Sequence, residues 1–469
     1  MLSNHMLKHL TLAISLVFST GIFATKVFAA EALATAVPVQ GKQQSLVDIY
    51  QQALSHDPAL ASALSANQAA QELIEQGKAL YRPTVNFNAG ASASQTDIRY
   101  IGTGVPFGVG GRASFEGYSY GVDARQPIFR KQNLVQMDQS KIQVSQADKQ
   151  LYLSQQTLIL RTTQAYFDVL LAQDKIDLIV AQKAAILSQL DQAKANFEVG
   201  TATITDVNEA QARYDLTVAQ EIASINEYQI AKHSIQAITG EIPQKLATVK
   251  EDIQTNSLEQ SMDKWMEVAA QNNLNIQIQQ DTLKFSEQEV ERQRAGHLPT
   301  LDAVASYTNN YANGSANGFG SDLKNGTIGL QLQIPLYQGG AISSRVRQAE
   351  WNRQKAQDDV EIARSQTELE TQRAYLNLSS SIAQVKAYEQ ALISSQSQMD
   401  STKLGYEVGV RTSVDVLNAQ QQYFIAKRDL LQSRYNYLVN IIRLKSASGV
   451  VAEPDLADIN QQLVLNNAP

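Results

Sequence analysis

Phe197-Glu198-Val199-Gly200-Thr201-Ala202-Thr203-Ile204-Thr205-Asp206-Val207 is answered 209 positions later by Tyr406-Glu407-Val408-Gly409-Val410-Arg411-Thr412-Ser413-Val414-Asp415-Val416. Both copies read aromatic-Glu-Val-Gly, then a short polar turn, then Asp-Val. Each follows a long stretch free of Gly and Pro, Lys131 to Val199 and Ala341 to Leu404, and a second helical pattern starts right after it. Glycine supplies the permissive backbone on which a helix stops. Asp206 and Asp415 fall near the first turn of the next helix, where a carboxylate suits the positive end of the dipole. Each copy therefore reads as the tip of a very long helical hairpin.

Working outward, a helix over Lys131 to Val199 would span roughly 100 Å at the standard rise per residue. Leu151, Leu158, Ala165, Ala172, Ile179 and Ile186 recur every seven residues. A second seam runs Val169, Ile176, Lys183, Leu190, with Lys183 as a break. In the second copy Leu378, Val385, Leu392 and Met399 keep that seam. Seven-residue spacing predicts coiled-coil-like packing of neighbouring helices.

Before each long helix the apolar period switches to two. Val85, Phe87, Ala89, Ala91 and Ala93 alternate with Asn86, Asn88, Gly90, Ser92 and Ser94, and Tyr118, Tyr120, Val122 and Ala124 alternate with Ser119, Gly121, Asp123 and Arg125. These read as two strands around a Gly-rich loop from Tyr100 to Glu116, with Pro127 closing the second. The pattern returns with Leu301, Ala303, Ala305 and Tyr307, a loop from Asn309 to Gly326, and Ile328, Leu330, Leu332 and Ile334 against Gly329, Gln331 and Gln333. Ser, Asp and Arg on the second face suit a water-filled lumen, with the alternate face towards lipid. Tyr118, Tyr120 and Tyr307 suit an aromatic belt, although strands favour Tyr in any setting.

The chain thus divides into a signal peptide over residues 1–29, two repeats and a tail. The first repeat, 30–250, holds a helix, a strand hairpin at 84–127, a long helix at 131–199 and a helix at 205–240. The second, 251–449, holds a helix at 274–298, a hairpin at 300–335, a long helix at 340–405 and a helix at 412–448. Residues 241 to 260 read as a small packed segment, and 450–469 as a loose C-terminal tail. Four strands cannot close a barrel, because the smallest have about eight. An open sheet edge in lipid leaves backbone groups unpaired at several kcal/mol each. The chain must therefore assemble, and two or three copies would both serve.

Composition narrows the classes. Lys plus Arg is 39 and Asp plus Glu is 46, for a formal charge of −7. That argues against nucleic acid, whose partners are usually basic. There is no Cys, which excludes disulfides, thiol catalysis and a lipid-bearing N-terminal Cys. Lys8 and His9 followed by the uncharged run Leu10 to Ala24 read as a secretory signal, with Val27-Phe28-Ala29 as the cleavage site and Ala24 as a second choice. The competing reading is an N-terminal membrane anchor. No later segment is apolar enough for a membrane helix, so any embedding must be by strands.

Gly296-His297-Leu298-Pro299-Thr300-Leu301-Asp302, Pro335-Leu336-Tyr337-Gln338-Gly339-Gly340, the two tips, and Arg434-Tyr435-Asn436-Tyr437-Leu438-Val439-Asn440 through Gly449 resemble the TolC-like outer-membrane exit ducts over nearly the whole mature chain. The resemblance implies an α+β membrane protein and a homotrimer. A transmembrane β-barrel of twelve strands, four per chain, would lie in outer-membrane lipid and continue as a periplasmic α-helical coiled-coil barrel. It implies an exit duct for efflux or type I secretion in a Gram-negative bacterium, with no cofactor. A periplasmic adaptor and an inner-membrane transporter would open it from the helical end. By the same resemblance, Thr205, Asp206, Tyr406 and Arg411 form the gate network. Asp415 narrows the entrance. The family's second acidic ring falls on Asn418, which is neutral here. Val199-Gly200 and Val408-Gly409 match the tip motif that meets the adaptor.

Plainer readings stand beside these. Asp206 reads equally as an N-cap with Glu209 as its capping-box partner, Asp415 as a dipole-compensating acid, and Arg411 as a solvated surface residue. Gly102-Thr103-Gly104-Val105-Pro106-Phe107-Gly108 joins two strands and lacks dinucleotide spacing, so it reads as a surface loop. His56, His233 and His297 have no metal-ligand spacing. Nor does the chain show the nucleophile, base and acid set of an enzyme. The alternative to a duct is a trimeric structural or adhesive coiled-coil surface protein.

Overall fold

Two open-ended motifs, a sheet and a set of long helices, account for most of the chain. The computed structural model describes residues 43–464 except 100–110, 251, 254, 256, 257, 259 and 316–318. The expected signal peptide and the loop 102–108 lie outside the described residues.

Helix α1 (Leu46–His56) is opened by a capping box between Ser45 and Asp48, and α2 (Pro58–Ala79) by Asp57 with Pro58 in its first turn. Strands β1 (Thr84–Ile98) and β2 (Gly111–Phe129) lead into α3 (Lys131–Glu198), which turns back as α4 (Ile204–Thr239). After the short β3 (Thr248–Val249) come α5 (Met262–Asn272) and α6 (Leu274–Arg294), a 3-10 turn at Ala295–His297, β4 (Thr300–Ala312) and β5 (Ser321–Gln333). Then α7 (Ala341–Glu407) and α8 (Ser413–Ala447) form the second long pair, followed by α9 (Glu453–Asn460) and β6 (Leu463–Val464). Among the described residues no helix is long and apolar enough to cross a membrane.

The four long strands form one antiparallel sheet in the order β1-β2-β4-β5, so β1 and β5 are open edges in the single chain. Its register sorts the residues into rows. Val85, Ala124, Ala305 and Ile328 are cross-strand neighbours, and the next row is Asn86, Asp123, Ser306 and Thr327. On the polar face Asn86 and Asn88 both donate to the Asp123 carboxylate, at 3.0 and 2.6 Å. On the apolar face Ile328 is 91% exposed.

The strands reach further than their apolar alternation predicts. Asn309 to Ala312 and Ser321 to Gly326, expected in a loop, belong to β4 and β5. Cross-strand partners hold them: Tyr311 stacks on Tyr118 at 4.7 Å, and Asn309 donates to the Tyr120 hydroxyl at 2.9 Å. Pro127 does not close β2, which runs on to Phe129. Pro127 sits at a register shift, where a residue without an N–H is tolerated.

At the sheet–helix junction Asp302, its side chain 2% exposed, accepts four hydrogen bonds from Arg125 of β2 and from Arg130, the residue before α3. Farther along α3, Asp281 pairs with Lys149, and Glu289 takes bonds from Arg292, Gln139 and Gln293. Burial alone would raise the Glu289 pKa, but those donors outweigh it and hold it down at about 2.

The helices bury small and apolar residues at sevenfold spacing. Leu158, Ala165, Ala172 and Ile186 are buried on α3, Ala210, Thr217 and Ser224 on α4, and Thr371, Leu378 and Val385 on α7. Such short side chains let helix axes approach closely. Lys183, the break in the α3 seam, is paired with Glu221 of α4.

The main apolar core is a belt midway along the helices. It gathers α1 (Leu46, Ile49, Tyr50), the middle of α3 (Tyr166, Phe167), and the last turns of α8 (Ile442, Leu444). The segment after α4 packs into it through Leu246 and Ala247. Within the expected C-terminal tail, residues 453–464 are not loose. Leu456 and Ile459 of α9 and Leu463 of β6 are buried in the belt, β6 pairs with β3, and Lys445 pairs with Asp455. Leu456 and Ile459 make a helical face of only two apolar residues, and β6 is two residues long, both too brief to stand out as a period.

Candidate functional site

Both long hairpins turn in the same way. Gly200 and Gly409 each have φ of +80°, the left-handed region that a side chain resists. Thr201 N–H donates back to Asn196 O at 2.8 Å, and Val410 N–H to Gly405 O at 2.9 Å, satisfying carbonyls the ending helices leave open. The following helices start alike too. Asp206 accepts from the backbone and hydroxyl of Thr203, at 3.0 and 2.7 Å, and Asp415 accepts from those of Thr412, both at 2.9 Å. Thr203 and Thr412 are therefore the N-caps, with Asp206 and Asp415 completing the capping boxes. This corrects the reading of Asp206 as the cap itself. Glu209 is not its partner but accepts from Arg213.

Bonds from the Thr412 backbone N–H and hydroxyl hold the Asp415 carboxyl below its ordinary pKa. Asp415 therefore stays charged at neutral pH. Arg411 is exposed, its charge felt by Asp415. A methyl group on Gly405 would lie 2.8 Å from Arg411 Cγ, so this glycine leaves room for Arg411 beside the end of α7. Thr205 is exposed on the first turn of α4. Val199 and Val408 stand at the turns, 73% and 66% exposed.

Within one chain the structure joins Tyr406 to Asn196, whose Nδ2 donates to its hydroxyl at 3.1 Å and so links the ends of α7 and α3. Thr205 and Asp206 do not bond Tyr406 or Arg411 within the chain. Asn418 Oδ1 accepts from Arg213. A small second core of Ile186, Leu190, Ala210 and Leu417 lies inside the tips, joining α3, α4 and α8. Asn196, Arg213 and Gln421 carry contacts that the sequence did not signal. Glu209 and Arg213 stand four apart, which marks their own ion pair, but nothing in the spacing of Asn196, Arg213 or Gln421 marks a partner on another helix. Among the described residues no cluster of side chains could hold a metal ion.

The family model described as "Outer membrane efflux protein" matches residues 49–241 and 265–450. The chain is 33% identical to outer membrane protein TolC of Vibrio cholerae, covering 90% of this chain and 94% of that protein. It is 28% identical to the proteases secretion protein PrtF of Dickeya chrysanthemi, covering 88% and 90%. Among solved structures it is similar in fold to CusC, at TM-score 0.74 and 18% identity over 87% of this chain and 92% of that one. It is also similar to the outer membrane protein VceC of Vibrio cholerae, at TM-score 0.70 and 19% identity over 86% and 96%.

Proposed function

This chain belongs to the outer membrane efflux protein family, and we propose that its two glycine-ended tips form the gated periplasmic mouth of a trimeric duct. It is an outer-membrane channel of a Gram-negative bacterium, an exit duct for efflux and type I secretion, and not an enzyme.

The observation that carries the reading is the two-faced sheet with open edges. The row Asn86, Asp123, Ser306 and Thr327 suits a wet lumen, and the row Val85, Ala124, Ala305 and Ile328 suits lipid. Edges β1 and β5 need strands from other copies, and three chains of four strands give a twelve-stranded barrel. Lateral packing between copies is supported by Leu216, Ile222 and Ile230 on α4 and by the sevenfold-spaced Ile362, Leu369 and Leu376 on α7, all exposed in the single chain. An origin as two copies of one unit is supported by the 209-residue offset and by the two separate matches of the family model.

The gate network is Thr205 and Asp206 of one tip with Tyr406 and Arg411 of another, closing between protomers. The exposure of Thr205 and Arg411 in the single chain supports this. Asp415 supplies the acidic ring of the entrance. Neutral Asn418 leaves that ring with about half the family's usual charge, and so with a weaker cation preference. A periplasmic adaptor meets Val199-Gly200 and Val408-Gly409 and brings an inner-membrane transporter to the mouth; the exposed valines support that contact. The trimeric adhesin or structural coiled coil is not favoured, since it needs no polar row across the sheet.

Purified protein in a planar bilayer is expected to give a stable pore of small conductance. Folded, trimeric protein that gives no pore would overturn the reading.

A further inference from the structure

Just inside the tips, Arg213 of α4 reaches across to α8. Its Nη1 donates to Gln421 Oε1 and its Nη2 to Asn418 Oδ1, both at 2.8 Å. From behind, Glu209 accepts from Nε and Nη2 at 3.1 and 2.9 Å, one turn earlier on the same helix. The guanidinium is thus aimed by its own helix at two acceptors on the other hairpin. Its side chain is half-buried, at 22% exposure, and its acceptors Asn418 and Gln421 stand exposed on α8. Helices α4 and α8 meet over only a short stretch, whose apolar part is the small cluster around Ala210 and Leu417. Among the described residues, Arg213 supplies the side-chain hydrogen bonds between α4 and α8.

We infer that Arg213 is a gate strut: within each protomer it ties the first helical hairpin to the second and holds the mouth closed. The inference rests on the duct reading. It adds a link separate from Thr205, Asp206, Tyr406 and Arg411, since it lies two helical turns beyond Asp206 and uses none of those side chains. A partner that opens the mouth by moving the α7–α8 pair away from α3–α4 has to break the strut as well. Neutral Asn418 suits this role. It accepts the bond while Glu209 balances the arginine's charge, and Asp415, three residues earlier, keeps the entrance charge. The planar fork matters because it reaches Gln421 and Asn418 at once, which a lysine ammonium does not do in the same geometry.

The test is planar-bilayer conductance of full-length trimers, with wild type beside Arg213→Ala and Arg213→Lys. Arg213→Ala is expected to raise conductance severalfold at unchanged melting temperature and trimer mass. Arg213→Lys should lie between it and wild type. If Arg213→Ala fails to assemble, Asn418→Ala with Gln421→Ala removes the acceptors and leaves the Arg213–Glu209 pair, and the same rise is expected. Wild-type conductance from assembled Arg213→Ala, or from that acceptor pair, would overturn the strut while leaving the duct intact. A wild type that does not conduct would overturn the duct reading itself, and the strut with it.

Discussion

Replacing Asp206 by Ala together with Arg411 by Ser is expected to raise the single-channel conductance severalfold. An exposed ion pair contributes only about 0 to 1 kcal/mol. Three symmetry copies of a few such links give a closed-state preference of a few kcal/mol, and a docked partner typically supplies a coupling of about 1–3 kcal/mol. A gate built this way is firm alone and opens on engagement, so losing one link per protomer shifts it appreciably. Asp206 has a second role, because it completes the capping box with Thr203. A cap lost to alanine costs about 1 kcal/mol of helix stability. Thr203→Ala separates the two effects: it removes the cap, keeps Asp206 and Arg411, and is expected to leave conductance near wild type. Wild-type conductance in the double variant would reduce Asp206 to helix capping and Arg411 to a solvated residue.

Asp302→Ala is expected to produce the largest loss of stability. The carboxylate is almost wholly enclosed and accepts four N–H bonds from Arg125 and Arg130, tying β4 to β2 and to the start of α3. Breaking a buried ion pair costs about 3–5 kcal/mol when the remaining charge is trapped. Here the arginine side chains are 45% and 30% exposed and can turn to water, so about 2–3 kcal/mol is the better figure. The expected readout is a fall of several degrees in the temperature at which purified oligomers dissociate, with little change at Asp97→Ala, whose partner Arg112 is exposed. An unchanged dissociation temperature for Asp302→Ala would show that the junction is held by backbone pairing alone.

The turns at Gly200 and Gly409 were legible because a left-handed helix stop needs glycine and a helix start favours an acid, so local chemistry writes the motif. The strands were legible wherever one face was apolar, and invisible where polar residues such as Asn309 and Asn325 continued the ladder. Pro127 misled for a related reason. Its missing N–H forbids a regular ladder position, but not a bulge. The packing of α9 and β6 was hidden because Leu456 and Ile459 make too short a helical face, and Leu463 lies on too short a strand, to show a period. Arg213 and Asn196 were hidden for another reason. A single polar side chain acquires its partner only when two distant helices are brought together, and the Arg213 bond to Asn418 spans 205 positions.

The most direct test of the duct is where its two ends lie in the cell. The chain has no cysteine, so Phe319→Cys in the β4–β5 connection and Val199→Cys at the first tip each give a single reporter. Intact cells would be treated with a maleimide carried on a polymer too large to enter the periplasm. Labelling is expected at residue 319 in intact cells, and at residue 199 only after the outer membrane is permeabilised. Equal labelling of both positions in intact cells would put the helices outside and contradict the duct.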